Sequence, residues 1–423
     1  MDDTTIYRTT SWSAGPGCHG GCGQKLYVKN GKLERIEGDE NHPWSHGRSC
    51  PKVLALTQYM YHPDRITRPL KRVGARGEGR FEPISWDEAF DICEKRLNEI
   101  KQEYGAESTI FVQGTGRDIG GPITMLAYSY GSPNWVQLGL SGHSCYTPRL
   151  AAMKGVLGDY FVADCSQFLE RRYEDPEWVP PEVIVTWGQD STTGCPDSFY
   201  GHWVVDCMKR GSKIISVDPR NTWMTSRAAH HLQLRPGTDG ALALGMLNVI
   251  INEAIYDKAF VEKWVQGFEQ LRQRVQDYPV EKVASITEVP AGEIVAAARM
   301  FANARQGAIQ WGVPVDMCPD GHAVAHAITC LSVITGDVDI PGGQVIARPS
   351  HGVTSYPFST EELVKLYGAD LIKRLNEKRI GADVYPMVKN FRGWCQPDMV
   401  IDQVESGKPY PLKAAWIQTA NVL

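Results

Sequence analysis

The 423-residue sequence contains no apolar run approaching the roughly 18 residues that a membrane span needs. Its opening ten residues are acidic and polar, without the basic and apolar parts of a secretory leader. A cytoplasmic chain is therefore expected; a periplasmic one whose export signal had been removed would read the same. An excess of one charge is also missing. With 44 basic and 49 acidic residues the net charge is −5, which offers no basic surface for nucleic acid or for an acidic membrane. No internal repeat and no low-complexity segment occurs, so repeat architectures and biased, disordered tracts are excluded. The eleven cysteines are an odd number in a long chain and too sparse for a disulfide scaffold. Reduced thiols, some of them metal ligands, fit better.

What is present divides by composition. At about 100–200 residues per domain the length predicts two to four domains. The first sixty residues are rich in Gly, Cys and His, and Asn30-Gly31 inside "KLYVKNGKLERIEGD" signals a hairpin. Short strands and turns around thiols predict a small metal-stabilised module. From about residue 80, strand and helix patterns alternate. Ser85 and Glu88 form a capping box ahead of the helix "WDEAFDICEKRLNEIKQEYG". The strands "STIFVQG", "EVIVTWG", "KIISVDPR" and "AIQWGVPV" are interleaved with helices through "HWVVDCMKRG", "ALALGMLNVIINEAI" and "PAGEIVAAARMFANA", and a last helix runs up to Thr335. Such strand–helix–strand units predict parallel sheets with helices on both faces. Ligands of these sheets bind at the carboxyl ends of strands. Three ends stand out: Gly188-Gln189-Asp190, Asp218-Pro219-Arg220 and Gly312.

Two chemistries compete for the thiols Cys18 and Cys22 in "GPGCHGGCGQ" and Cys50 in "GRSCPK". Glycines let backbone amides approach inorganic sulfides, which suits an iron–sulfur cluster. Zinc takes thiolates equally well. Lys52, taken alone, reads as a solvated lysine. Cys145 follows a Gly/Ser/Pro turn and opens a helix, whose N-terminus would lower its pKa, although a lone cysteine is more often simply buried. His143 and Tyr146 flank it as hydrogen-bond donors or as packing. His322 and His326 lie four apart on a helix with Cys330 one turn on; pocket lining or packing is the expectation over a metal stripe. Cys93 and Cys207 fall on apolar helix faces and are expected in the core.

The segments "WSAGPGCHGGCG", "GRSCPK", "LGLSGHSCYTPRLAAMKG", "VTWGQD", "ISVDPRNTWMTSRAAHHLQLRPGTDGALALGML" and "LSVITGDVDIPGG" together resemble the molybdopterin oxidoreductase superfamily, the dimethyl sulfoxide reductase family, in its N-terminal part. Four nucleotide-type motifs in the family's order carry this, over about Thr10 to Asn421. The resemblance implies an oxidoreductase of anaerobic metabolism holding bis-molybdopterin guanine dinucleotide with Mo or W. It implies an iron–sulfur cluster on Cys18, Cys22 and Cys50. The family's first cysteine falls on Gly15, so the cluster is 4Fe-4S with Ser11, His19, water or a carboxylate at the fourth iron, or it is 3Fe-4S. Lys52 matches the lysine between cluster and pterin, where a cation eases electron transfer between anionic centres. Cys145 matches the metal ligand, a soft donor suited to Mo or W, with His143 and Tyr146 beside it as catalytic candidates.

The cofactor cradle implied is Gly188, Gln189, Asp190, Asp218, Pro219, Arg220, Pro236, Gly237, Thr238, Asp239 and Gly312. In it Asp218 accepts from guanine or ribose, Arg220 pairs with phosphate, and the helix after Pro236 offers its N-terminus. The implied fold is α/β: an iron–sulfur module at 1–63, an α/β domain beginning at 64–155, an α/β nucleotide-binding domain at 156–345, and a truncated return to the first domain at 346–423. Two doubly wound, mostly parallel sheets are expected, with the family's C-terminal β-barrel absent. The wording around the thiols looks most like the branch of catechol dehydroxylases, acetylene hydratase and pyrogallol transhydroxylase. Formate dehydrogenase-like or sulfur-oxyanion reductase activity is the alternative enzyme; an electron-transfer or scaffold subunit is the alternative class. The partners implied are a small-molecule substrate and a ferredoxin-like electron-transfer subunit.

Overall fold

The computed structural model describes residues 4–11, 21–43, 45–114, 120–137, 147–165, 177–192, 198–347, 360–386, 388 and 394–420. The first sixty residues form a three-stranded antiparallel sheet of Thr4–Thr10, Gly23–Lys29 and Lys32–Gly38. The hairpin turns on Asn30 and Gly31, at φ 50° and 75°, the left-handed pair that a two-residue turn between right-twisted strands requires. The strand Thr4–Thr10 has no apolar stripe to announce it, since every residue after Thr4 is exposed. Its antiparallel pairing with Gly23–Lys29 makes it a strand.

Four parallel strands build the larger sheet, in the order His230–Leu232, Lys213–Val217, Val183–Trp187, Gly307–Trp311. Their near-continuous apolar sequence is that of strands covered on both faces. Alternation assigns the faces. Val183, Val185, Trp187, Ile215 and Val217 enter one core, against Leu242, Met246, Ile294 and Ile328 of the helices. Ile184, Ile214 and Ala308 enter the other, against Trp203, Val204 and Cys207. Each fully buried aliphatic side chain contributes roughly 1.5–3 kcal/mol, so the double cover is what holds this sheet. The chain leaves Val183–Trp187 on one side for Lys213–Val217 and returns to its other side with Gly307–Trp311. That reversal is a topological switch point.

A second parallel sheet aligns Ala414–Gln418, Thr109–Gln113 and Trp135–Gln137, so late sequence lies beside early sequence. Buried Asn134 ties them: its amide donates to the Glu107 carbonyl at 2.7 Å and to the Tyr410 hydroxyl at 2.9 Å. Arg379, also buried, donates to the Tyr128 hydroxyl at 2.9 Å. The mixed α/β class with parallel sheets is as expected, and no barrel occurs among the described residues.

Two expectations need correction. Ser85 does cap helix Trp86–Tyr104, accepting the Glu88 N–H at 3.1 Å, but this helix buries no residue fully. Trp86 and Phe90 are exposed and so is Cys93, whereas Cys207 is in the core. The second concerns "LSVITGDVDIPGG", expected at the cofactor cradle. Its Asp337 accepts the Gly307 N–H at 2.8 Å, at the start of strand Gly307–Trp311, which is the end opposite the ligand edge. Asp164 takes the Gly342 N–H at 3.0 Å and closes the same turn. The aspartates here satisfy backbone donors, which is the commoner use of Asp in turns.

Burial pushes the Asp337 carboxyl up to about 7. In the unfolded chain it titrates near its ordinary value of about 4. Its contribution to stability is therefore complete below about pH 4 and is lost as pH rises through about 7. Asp337→Asn should flatten the decline in thermal midpoint between about pH 5 and 8 relative to the parent; parallel curves for the two proteins would remove Asp337 as the titrating group.

Candidate cofactor site

The carboxyl ends of three strands finish level. Val217, Trp187 and Trp311 are register partners, so Asp218, Gly188 and Gly312 stand side by side at one edge. The ladder runs one step further: Gly188 donates to the Val217 carbonyl and Gly312 to the Trp187 carbonyl, each at 2.8 Å. Gly188 sits at φ 60°. A Cβ on Gly312 would meet the Gly188 carbonyl oxygen at 2.2 Å. Gln189, Asp190 and Ser191 follow, all buried. The Ser191 hydroxyl has no hydrogen-bond partner among the described residues. A buried hydroxyl in that state is a place for a ligand or ordered water.

Asp218 and Arg220 bind each other rather than standing ready separately. Asp218 accepts the Arg220 N–H at 2.8 Å, its Nε at 3.1 Å and its Nη2 at 2.9 Å. The Asp218 carboxylate is buried, while the Arg220 side chain is 62% exposed and keeps an open edge. Its pKa is raised by the hydrogen bond and charge of Asp218. The loop is fixed from the neighbouring strand: His231 Nε2 donates to the Asp218 carbonyl at 2.8 Å and Gln233 donates to the Pro219 carbonyl at 2.9 Å. Pro236-Gly237-Thr238 leads into helix Asp239–Asn252, with Gly237 at φ 83°. Thr238 donates to the Arg235 carbonyl at 2.6 Å and does not cap the helix. Asp239 turns inward, accepting the Trp187 indole N–H at 2.8 Å, and burial raises its carboxyl pKa. This helix end therefore offers backbone amides, and Asp239 pins it to the sheet.

In the thiol module Cys22 is buried and Cys50 partly so; Cys18 lies outside the described residues. Gln24 joins the two cysteine segments. Its Nε2 donates to the Cys22 carbonyl at 3.3 Å, and its Oε1 accepts from Ser49, next to Cys50, at 3.0 Å. Ser11 also reaches the Cys22 carbonyl, through its amide at 2.8 Å and its hydroxyl at 3.3 Å. Lys52 is exposed on the short helix Pro51–Leu54 that Cys50 caps. Arg48 docks the module on helix Ser198–Lys209, with Nη1 3.1 Å from the buried carboxylate of Asp206. No trio of His, Cys, Asp or Glu with metal-site geometry occurs among the described residues. His322 and His326 are exposed, with ring centres 6.5 Å apart.

His143, Cys145 and Tyr146 lie outside the described residues, which resume at helix Thr147–Leu157. Arg149 in its first turn forms a buried ion pair with Asp316 and donates to the Trp311 carbonyl at 2.8 Å. Arg149, Asp316, Arg48 and Asp206 were not singled out by the sequence. Their pairs span 167 and 158 residues, and one sequence carries no signal for such separations.

A thiol module docked on a doubly wound sheet, with loops gathered at a switch point, is the build of a metal-cofactor redox chain. This chain belongs to the molybdopterin oxidoreductase family: residues 65–390 match the family and residues 9–62 match its Fe4S4 domain. Those matches assign it a molybdenum–pterin site and a 4Fe-4S domain. It is 32% identical to acetylene hydratase of Syntrophotalea acetylenica, covering 96% of this chain and 56% of that one. It is 28% identical to the molybdopterin-containing subunit of thiosulfate reductase from Salmonella typhimurium, over 96% and 51%. The solved structure of acetylene hydratase from Pelobacter acetylenicus superposes with a TM-score of 0.78 at 30% identity, over 98% of this chain and 57% of that one. The chain thus spans about half the length of the curated relatives it matches. No helix among the described residues is long and apolar enough to cross a membrane.

Gly312→Ala should cost about 1–3 kcal/mol in urea unfolding, because its methyl would be driven into a backbone carbonyl. A parental midpoint would show that the edge yields without strain.

Proposed function

We propose that the chain is the cofactor-binding part of a molybdenum- or tungsten-pterin oxidoreductase that passes electrons between its cluster and the metal. The reaction is oxygen-atom or hydroxyl transfer on a small substrate, of aromatic type. The observation that carries this reading is the level edge of Gly188, Asp218 and Gly312 at a switch point, with a buried Ser191 hydroxyl beside it that has no partner among the described residues. When bound, the metal–pterin group supplies the redox step itself.

The chain's own residues bind and orient. Gly312 carries no Cβ, so its strand end packs against the Gly188 carbonyl and the edge stays level for a guanine dinucleotide. Arg220 offers its open edge to phosphate, and the amides at Pro236–Thr238 and the start of helix Asp239–Asn252 offer a dipole-favoured anion site. Swinging Arg220 outward frees the Asp218 carboxylate for a guanine or ribose donor. Gln189 and Asp190 line the same loop, and Pro219 sets its turn. Cys145 gives the metal a soft thiolate, and His143 and Tyr146 donate hydrogen bonds or a proton to substrate. Cys18, Cys22 and Cys50 hold the cluster, and Lys52 places a cation toward the pterin. Electrons enter from a ferredoxin-like subunit in the cytoplasm.

Hydroxyl chemistry on carbon is favoured over formate or sulfur oxyanions. The relative named a hydratase shares 32% identity over 96% of this chain, against 30% over 77% for formate dehydrogenase H of Escherichia coli and 28% for the thiosulfate reductase subunit.

Metal analysis of the purified protein should give about one Mo or W and three to four Fe per chain. Iron without Mo or W would sink the enzyme reading in favour of an electron-transfer scaffold, and zinc in place of iron would remove the cluster. Cys145→Ala should abolish turnover and spare the iron; unchanged turnover would take Cys145 out of the site.

A further inference from the structure

Strand Gly307–Trp311 ends the four-stranded sheet, so one of its sides has no strand to pair with. Val183 donates to the Gln306 carbonyl and Gly312 to the Trp187 carbonyl, so even-numbered residues face the sheet. In a parallel ladder the residues between them turn both backbone groups outward. Gly307, Ile309 and Trp311 are those residues. Strands Phe161–Ala163 and Gln344–Ile346 lie against this edge but form a separate antiparallel pair. The buried edge must therefore satisfy its donors and acceptors by other means. Side chains do most of this. Asp337 accepts the Gly307 N–H at 2.8 Å, Gln344 Nε2 donates to the Ile309 carbonyl at 2.9 Å, and Arg149 Nη1 donates to the Trp311 carbonyl at 2.8 Å. The outward N–H groups of Ile309 and Trp311 gain no side-chain acceptor among the described residues.

Gln344 is 4% exposed, and its Oε1 has no partner among the described residues. The amide orientation is fixed, because turning it over would set Oε1 against the Ile309 carbonyl. A small cavity lies here, with room for about one water molecule. Ile309, Trp311 and Gln344 line it, together with Phe161 and with Thr329 and Ser332 of helix Gly321–Ile334. Thr329 donates to the Ala325 carbonyl at 2.8 Å, which leaves its oxygen able to accept. A purely apolar void of this size stays dry, whereas one ringed by an amide oxygen, hydroxyls and backbone N–H groups holds water. We propose that the cavity is a binding site for one water molecule, which completes the outer edge of strand Gly307–Trp311. The water donates to Gln344 Oε1 and to the hydroxyl of Thr329 or Ser332, and it accepts from the outward N–H of Ile309 or Trp311. It joins the last strand of the sheet to helix Gly321–Ile334 and to strand Gln344–Ile346. Trp311 immediately precedes Gly312, so the bridge braces the strand that ends in the level edge. The bridge belongs to the sheet and is independent of the ligand at that edge.

The purified full chain tests this in solution and in crystals. Magnetic relaxation dispersion of solvent nuclei counts the waters that stay bound longer than the protein takes to tumble. Gln344→Leu removes the acceptor at similar volume. Gln344→Glu, held neutral by burial, keeps a donor for the Ile309 carbonyl and an acceptor for the water. The dispersion amplitude should fall by about one water in Gln344→Leu and stay parental in Gln344→Glu. A crystal structure of the parent should show a solvent peak about 2.5–3.0 Å from Gln344 Oε1, and xenon under pressure should leave that peak in place. A parental amplitude in Gln344→Leu, or a parent cavity that takes xenon and shows no solvent peak, would overturn the site. Should Gln344→Leu not fold, the parental crystal decides alone: the solvent peak supports the site, and a dry cavity or one closed by its own side chains overturns it.

Discussion

Register in the four-stranded sheet is the constraint from which the site follows. Parallel strands cannot be joined by hairpins, so every connection returns across a face, and every outgoing loop leaves from the carboxyl edge. Because Val217, Trp187 and Trp311 pair in one row, their outgoing loops start at one height. The loop after Trp187 leads to helix Ser198–Lys209, whose Trp203 and Val204 lie in one core. The loop after Trp311 leads to helix Gly321–Ile334, whose Ile328 and Leu331 lie in the other. The two connections lead to opposite faces of the sheet, and doubly wound sheets take their ligands at such a point. A side chain at Gly312 would clash with the Gly188 carbonyl oxygen, so a residue without a Cβ is a condition of the close packing of these two strand ends.

Buried charge does different work at different heights of the same sheet. At the amino end, Asp337 holds the turn before Gln344–Ile346 by taking the Gly307 N–H, and burial keeps its proton near neutrality. At the carboxyl end, Asp239 fixes a helix N-terminus to Trp187, and Asp316 fixes another helix through Arg149. Each satisfies donors that would otherwise be buried unpaired, at a cost of about 1–3 kcal/mol apiece. The two carboxyl-end aspartates orient helices whose first turns border the crevice. Both contacts are therefore arranged for direction, whereas Arg220 keeps an open edge and the Ser191 hydroxyl has no partner among the described residues.

The sequence made the sheet legible because its strands are short apolar runs ending in Gly or Asp, and both properties are local. Gly188, Asp218 and Gly312 were readable for that reason, and so was the Asn30-Gly31 turn. Side-chain direction was not readable. Asp239 was placed in the cradle only by its position at a helix start, and its carboxylate turns to the indole N–H of Trp187, 52 residues earlier. Asp218 and Arg220 were read as two ligand contacts, yet spacing two apart at a strand end lets the fork close on its own neighbour. The family wording "TGDVDIPGG" marks a turn whose Asp337 takes a backbone N–H. Cys93 obeyed the apolar periodicity of its helix and is still exposed, because periodicity tells which face is apolar and not whether anything covers it.

The thiol module shows why the metal-bearing reading and the fold agree. Among the described residues of the first sixty, only Cys22, Ile36 and Val53 are buried apolar side chains. No residue before Ile110 belongs to any apolar core among the described residues. Three side chains cannot offset the entropy of ordering a three-stranded sheet with its loops. Something else must hold it, and the available contacts are polar: Gln24 between the Cys22 and Ser49 segments, and Arg48 on Asp206. Hydrogen bonds of this kind contribute about 0.5–1.5 kcal/mol each, too little for the remainder. Metal binding to several thiolates is folding free energy of about ten kcal/mol or more, at least for small zinc domains. Metal binding by the Fe4S4 domain is a contribution that would hold such a module, while the cores of the four-stranded sheet contain none of its residues. Arg48 ties the Cys50 segment to helix Ser198–Lys209 through the buried carboxylate of Asp206.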